Sequence, residues 1–320
     1  MTATTSLPTQ PTGAQASGYQ PVTKTAHGLA IASLISQIGI IVTGGAVRLT
    51  KSGLGCSEWP RCTPETMTPT PEMGIHGLIE FGNRTLTFVL AAIAVAMIVA
   101  AWRSRKAHTN IFVLSWALLG IIPAQAVIGG ITVLTKLNPW VVSLHFLASA
   151  ACVALAVLLV NRTGRAYRNP DIESSVALKE NVPFTPQPVF GPLRVIAATA
   201  WALAAWVIVM GTTVTGTGPH AGDESAPRHT FNALVVTRMH TVPVYVLTLL
   251  IIVGLVIVMR RNIASLKNAY LMTIGVILIQ AGIGYWQHFS GLPIGLVLAH
   301  MLGSALLLSA VTNVWDRTVN

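Results

Sequence analysis

The sequence predicts an all-α integral membrane protein, with eight transmembrane helices arranged as two tandem four-helix bundles related by a pseudo-two-fold axis along the membrane normal. Composition is the first reason: of 320 residues 52% are hydrophobic and only 9% charged, with a mean hydropathy of +0.65, too apolar for a soluble domain. Length is the second, because eight stretches can cross a hydrocarbon core of about 30 Å, which takes about 20 apolar residues. With no water to satisfy a broken backbone, all eight are expected to be helices. The third is an internal repeat: Gln125-Ala126-Val127-Ile128-Gly129 returns as Gln280-Ala281-Gly282-Ile283-Gly284, and His145 returns as His300, both 155 positions later.

Taken in order, residues 1–26 are rich in Thr, Gln, Pro, Gly and Ser, carry one charged side chain, and lack the basic start and apolar core of a signal peptide. They are expected to form a disordered cytoplasmic tail. The N-terminal half, 27–160, places helices at 28–49, 75–101, 110–134 and 140–160. The first starts at His27 and ends in Thr43-Gly44-Gly45-Ala46-Val47-Arg48, which opens an outer loop turned by Gly and Pro. The second carries His76, Glu80, Asn83 and Arg84, with 76, 80 and 83 on one face at helical spacing. A turn containing His108 leads to the third helix, with Gln125 to Gly129. The fourth holds His145 and Cys152, the latter read as a small core residue. Residues 161–194, with prolines 183, 186, 188 and 192, read as a linker between the repeats. The C-terminal half, 195–320, places helices at 195–215, 234–259, 269–287 and 294–314. Met210-Gly211-Thr212-Thr213-Val214-Thr215 ends its first helix as a weak echo of Thr43 to Arg48.

Thirteen of the 20 Lys and Arg fall on one side of this arrangement: Lys24; Arg103, Arg105 and Lys106; Arg162, Arg165, Arg168, Lys179 and Arg194; Arg260, Arg261 and Lys267; and Arg317. Basic loops stay in the cytoplasm, so both termini are expected there, in the cell membrane. Each half has an even number of helices, so the two enter from the same side and run parallel. The net charge of +10 follows from this asymmetry and from attraction to anionic lipid, which removes the reason to invoke nucleic acid.

The nine histidines divide by location. His27, His108, His220, His229 and His288 fall at helix ends or in loops and are expected to be solvated or interfacial. His76, His145, His240 and His300 fall one to each even-numbered helix. Two facing helices that each supply an imidazole can clamp a haem iron between them, and helices 6 and 8 offer such a pair; the bland reading is a set of interhelical hydrogen bonds. On helix 2 a carboxylate beside an arginine marks either a pathway or active site, or a structural i, i+4 pair near the outer interface. Cys56 and Cys62, on the oxidising face, are compatible with a disulfide, whether staple or redox-active pair.

In combination these residues resemble haem A synthase, which converts haem O to haem A for cytochrome oxidase, across essentially all of the chain after residue 26. The resemblance rests on Gly44 to Thr50, Ser52 to Cys56 and Trp59 to Cys62, on Glu80 and Arg84, and on the histidines of helices 4, 6 and 8. It implies a haem b cofactor, with its iron held by His240 and His300, and a haem O substrate in the N-terminal half. Its pattern there is Glu-x-x-His-Arg in helix 2 with a histidine in helix 4. Glu80, Arg84 and His145 match; Asn83 stands where the pattern has histidine. His76 is seven residues away, about 10 Å along a helix, and shares the face but not the depth. Family members with a second cysteine pair carry it in the second outer loop, where Thr215 to Thr230 has none and His220, Asp223, Glu224 and His229 stand instead.

The resemblance implies successive oxidation of a porphyrin ring methyl to a formyl group, with Glu80 as the essential carboxylate, Arg84 holding a propionate and the cysteine pair relaying electrons. Haem O synthase and cytochrome oxidase are the functional neighbours it implies, with membrane lipid around the chain and a homo-oligomer as an open option. A dihaem b-type electron-transfer subunit would share the histidines with less need of Glu80, and a haem or small-molecule transporter would share the duplicated halves.

Overall fold

The computed structural model describes residues 21–168, 191–223 and 225–320. Most of the expected N-terminal tail, the centre of the expected linker and Glu224 lie outside them. The described residues form eight helices long and apolar enough to cross a membrane, and no strand. They are α1 (Lys24–Leu49), α2 (Gly74–Ala101), α3 (Thr109–Leu134), α4 (Pro139–Arg168), α5 (Gly191–Thr217), α6 (Ala233–Arg260), α7 (Ala264–Phe289) and α8 (Ile294–Val319). Every span expected from hydropathy lies inside one of them.

The helices run further than the apolar stretches where polar side chains find partners. α4 continues through residues 161–168, and α8 continues to Val319, because the extensions brace each other. Asp316, 1% exposed, accepts from Arg165 Nη1 at 2.8 Å, Asn161 Nδ2 at 3.1 Å and Asn320 Nδ2 at 3.1 Å. His27 Nδ1 lies 3.0 Å from Thr163 Oγ1, and its ring stacks on Tyr167, fastening the start of α1 to the end of α4. Removing a buried acceptor strands its donors. Asp316→Ala is therefore expected to cost about 1–3 kcal/mol, read as a lower thermal midpoint in detergent; an unchanged midpoint would show the brace to be slack.

Capping follows local chemistry. Thr23 Oγ1 accepts from Ala26 N at the start of α1, and Asn232 Oδ1 accepts from Leu234 N and Val235 N at the start of α6. Pro123 and Pro243 sit inside α3 and α6, as membrane helices allow.

Packing has the same pattern in each half. α1 and α3 each pack on α2 and α4; α5 and α7 each pack on α6 and α8; α4 and α8, α1 and α8, and α4 and α5 join the halves. The cores lie toward the ends of the helices at which α1 begins and α8 finishes. One gathers Ala26, Ala30, Met97, Ala101, Ile111, Leu118, Cys152 and Leu159; the other gathers Leu193, Ala200, Leu247, Ile251, Leu266, Tyr270 and Val311. Small residues let backbones approach there. Cys152 is 2% exposed, as a core residue should be. Toward the outer ends this packing gives way to the polar residues of the site.

Two histidines expected to be solvated are buried. His108, before α3, is 3% exposed. His229 is 8% exposed and packs against Trp140 and Phe231, with ring centroids 4.4 and 5.3 Å away. For His229 the second outer loop is why: it folds down as a strap across the halves instead of standing in solvent. Arg48 Nε of α1 donates to His220 O at 2.8 Å, and the His220 ring lies 2.8 Å from Leu292 O, between α7 and α8.

Burial, and then the nearby Arg48 guanidinium, lower the His229 pKa below its ordinary 6.5. The folded strap therefore binds a proton less readily than the open one. Its docking is undiminished above the ordinary value, weakens as pH falls from there toward the lowered one, and levels off below it. One proton changes the opening equilibrium by at most about tenfold per pH unit. Protease cleavage within 218–232 is expected to accelerate below pH 6.5, and His229→Phe to remove that dependence; a native cleavage rate that is flat with pH would refute it.

Candidate functional site

The repeated Gln-x-x-x-Gly segment acquires a physical role once α3 is seen beside α4, and α7 beside α8. Gln125 Nε2 donates to His145 O at 3.2 Å, and Gln280 Nε2 donates to His300 O at 3.0 Å. One turn further, a glycine supplies the floor under each ring. A Cβ on Gly129 would sit 3.2 Å from His145 Cε1, and one on Gly284 would sit 3.3 Å from His300 Cε1. Glutamine fixes the histidine's backbone while glycine makes room for its imidazole. His240 has the same kind of floor from Gly211, where a Cβ would lie 3.3 Å from Cε1.

The His240 and His300 rings face one another with centroids 6.3 Å apart and planes at 70°. His240 Nδ1 lies 2.8 Å from Val207 O. A carbonyl can only accept, so Nδ1 carries the proton, and the neutral ring keeps its lone pair on Nε2. His300 Nδ1 is buried without a partner. Imidazole nitrogens bind metals at about 2.0–2.1 Å, so two rings on opposite sides of one iron have centres about 6 Å apart. The described residues contain no cluster of three or more His, Cys, Asp or Glu that would hold a bare ion. His240 and His300 would suit an iron whose other ligands a porphyrin supplies.

In the N-terminal half the corresponding places hold His145 and Asn83. His145 is half-buried, with Nδ1 buried and unpartnered. Asn83 Nδ2 would lie 4.0 Å from a Cβ on Gly44, and Asn83 Oδ1 accepts from Thr43 Oγ1 at 2.7 Å.

Above this half lies the first outer loop, closed by the Cys56–Cys62 disulfide. Glu80, 5% exposed, accepts from Cys56 N at 2.6 Å and pairs with Arg84. Arg84 gives Nε and Nη2 to Glu80, Nη1 to Glu58 O and Arg61 O at 3.1 Å each, and Nη2 to Cys56 O at 3.4 Å. All five guanidinium donors are thus engaged by protein. The loop also drives Trp59 onto α3, where any Cβ on Gly130 would overlap the indole.

His76 is placed apart from Glu80 and Asn83. It is exposed, has Nδ1 at 2.9 Å from Ser52 Oγ, and lines an outer cavity of about 450 Å³ with Lys51, Leu54, Gly55, Met73 and Asp223. Of the residues singled out on α2, Glu80 and Arg84 are brought together under the disulfide loop, Asn83 is turned to α1, and His76 to the outer surface. Sequence reasoning missed Thr43, Val207 and the four glycine floors. The repeat was the signal for Gly129 and Gly284, and the Thr43/Met210 alignment was the signal for Gly44 and Gly211.

Residues 27–312 match the COX15-CtaA family, described as cytochrome oxidase assembly protein. Similar curated proteins include a Heme A synthase from Alkalihalophilus pseudofirmus, 31% identical over 135 residues, covering 41% of this chain and 45% of that one. A Heme A synthase from Lysinibacillus sphaericus is 31% identical over 144 residues (43% and 46%), and one from Symbiobacterium thermophilum is 26% identical over 156 residues (47% and 50%). The chain spans about half the length of the curated relatives it matches.

Proposed function

The chain belongs to the family of cytochrome oxidase assembly proteins, and from that premise we propose that it is a haem A synthase, an oxidoreductase that converts the ring methyl of haem O to a formyl group. The observation that carries this reading is the buried Glu80 carboxylate, clamped by Cys56 N and Arg84 in the half that holds His145. An electron carrier has no need of that costly group. The relatives named Heme A synthase support the same reading.

In this reading haem O lies in the N-terminal half, with His145 as its iron ligand, and His240 and His300 hold a haem b in the C-terminal half. Haem b supplies a one-electron carrier. Oxidising a methyl to a formyl with water as the oxygen source releases four electrons and four protons, and the electrons leave to an external electron acceptor. Glu80 is the group that takes up a proton or faces the developing positive charge. Arg84 and the disulfide loop hold that carboxylate in place: the same segment that donates Cys56 N to Glu80 also accepts from Arg84 through three carbonyls. The Trp59 indole packs against Gly130 and ties the loop to α3. The halves act as parallel tandem bundles in the cell membrane with both termini cytoplasmic, receiving substrate made by a haem O synthase and passing product to cytochrome oxidase.

Co-expression with a haem O synthase in a host lacking haem A tests this directly. Extracted pigment is expected to contain haem A beside haem b. Haem b with only unconverted haem O, in folded protein, would overturn the synthase reading and make the chain a b-type electron carrier.

A further inference from the structure

The two halves of the molecule solve the same packing problem with different residues, and the difference is coordinated. On the C-terminal side His240 rests on Gly211 and gives its Nδ1 proton to Val207 O, four residues before that glycine. Met210 precedes Gly211. On the N-terminal side Asn83 rests on Gly44, the carbonyl four residues before the glycine is that of Ile40, and the residue before it is Thr43. Thr43 Oγ1 lies 3.3 Å from Ile40 O and 2.7 Å from Asn83 Oδ1. Where the C-terminal half sets an imidazole N–H against the carbonyl, the N-terminal half sets the Thr43 hydroxyl between Ile40 O and Asn83 Oδ1, and it gives its proton to the shorter contact.

That bond orients the Asn83 amide. With Oδ1 accepting from Thr43, the two N–H groups of Nδ2 are left to point elsewhere. Nδ2 has no hydrogen-bond partner among the described residues, and it is not sealed within the protein. His76 does not restore a second imidazole, since its ring is held by Ser52 in the outer cavity.

We propose that the substrate haem has His145 as its one protein ligand, and that Asn83, oriented by Thr43, presents an N–H donor on the open side of the iron to hold a small oxygen-bearing or diatomic ligand there. Asn83 is thus neither a failed ligand nor a spacer. The pair Thr43 and Asn83 makes the N-terminal site open where the pair His240 and His300 makes the C-terminal site closed. This rests on the reading of the N-terminal half as the haem O site.

Carbon monoxide added to the reduced, haem-loaded protein tests it. In the native chain one haem of two is expected to bind carbon monoxide, and His145→Ala to abolish that reactive haem while leaving the other. Asn83→His is expected to close the site, giving a six-coordinate low-spin spectrum and slowing carbon monoxide binding by at least about tenfold. Asn83→Leu keeps the volume and loses the donor, so carbon monoxide still binds but its C–O stretch moves to higher wavenumber. Thr43→Val shifts it in the same direction by less.

Three results would overturn the proposal: two bound haems that both ignore carbon monoxide, haem content unaffected by His145→Ala, or a C–O stretch unmoved by Asn83→Leu. Haem A is assayed on the same preparations. A carbon monoxide-reactive haem on His145 without any haem A supports this inference while sinking the synthase reading, so the two fail separately.

Discussion

Glu80→Gln is expected to leave the protein folded, disulfide-closed and loaded with haem b, yet to lower haem A formation by at least about a hundredfold. The substitution is close to isosteric and keeps an oxygen to accept from Cys56 N, so the loop remains docked. What it removes is the negative charge, the proton-accepting capacity and the oxygen that accepts from Arg84 Nε and Nη2. Glu80→Ala should do further harm, because it strands the Cys56 N–H and the Arg84 guanidinium in a buried setting. Comparing the two separates the chemical role from the structural one. If Glu80→Gln protein converts haem O at the native rate, the carboxylate serves only to hold the loop.

The second large effect belongs to the facing imidazoles. Losing a group that merely orients a metal ligand typically costs 10–100-fold in affinity, so losing the ligand itself should cost more than about a hundredfold. His300→Ala is accordingly expected to yield protein without the low-spin haem b spectrum and without conversion, with partial recovery on adding free imidazole. Gly284→Ala provides a graded control. Its new Cβ would lie 3.3 Å from His300 Cε1, so the ring must give by a few tenths of an ångström. A shifted spectrum with haem retained is the expected result. Unchanged low-spin haem b in His300→Ala would remove His300 from the ligand set.

How much of this was legible in the chain depends on whether the determining forces are local. The eight spans could be read because an apolar segment of sufficient length has one way to satisfy its backbone in lipid. The ends of α4 and α8 could not, because Arg165 and Asp316 are far apart in sequence and each looks like a reason to stop. His229 looked solvated for a similar reason: only the strap that ties Arg48 to His220 and His220 to Leu292 brings it under Trp140. Arg84 had the charge for a propionate, but the first outer loop supplies partners for all of its donors.

By itself, then, the sequence determined the membrane class, the eight apolar spans among the described residues, the repeated Gln-x-x-x-Gly and His pattern, and the candidacy of Glu80, His145, His240 and His300, since these follow from hydropathy, spacing and self-similarity along the chain. Tertiary structure alone decided that His240 and His300 meet at 6.3 Å, that Thr43 turns Asn83, and that Glu80 is gripped by a loop 24 residues upstream. Those facts depend on which helix faces stand together, and residues that share a face across two helices share no period in the chain.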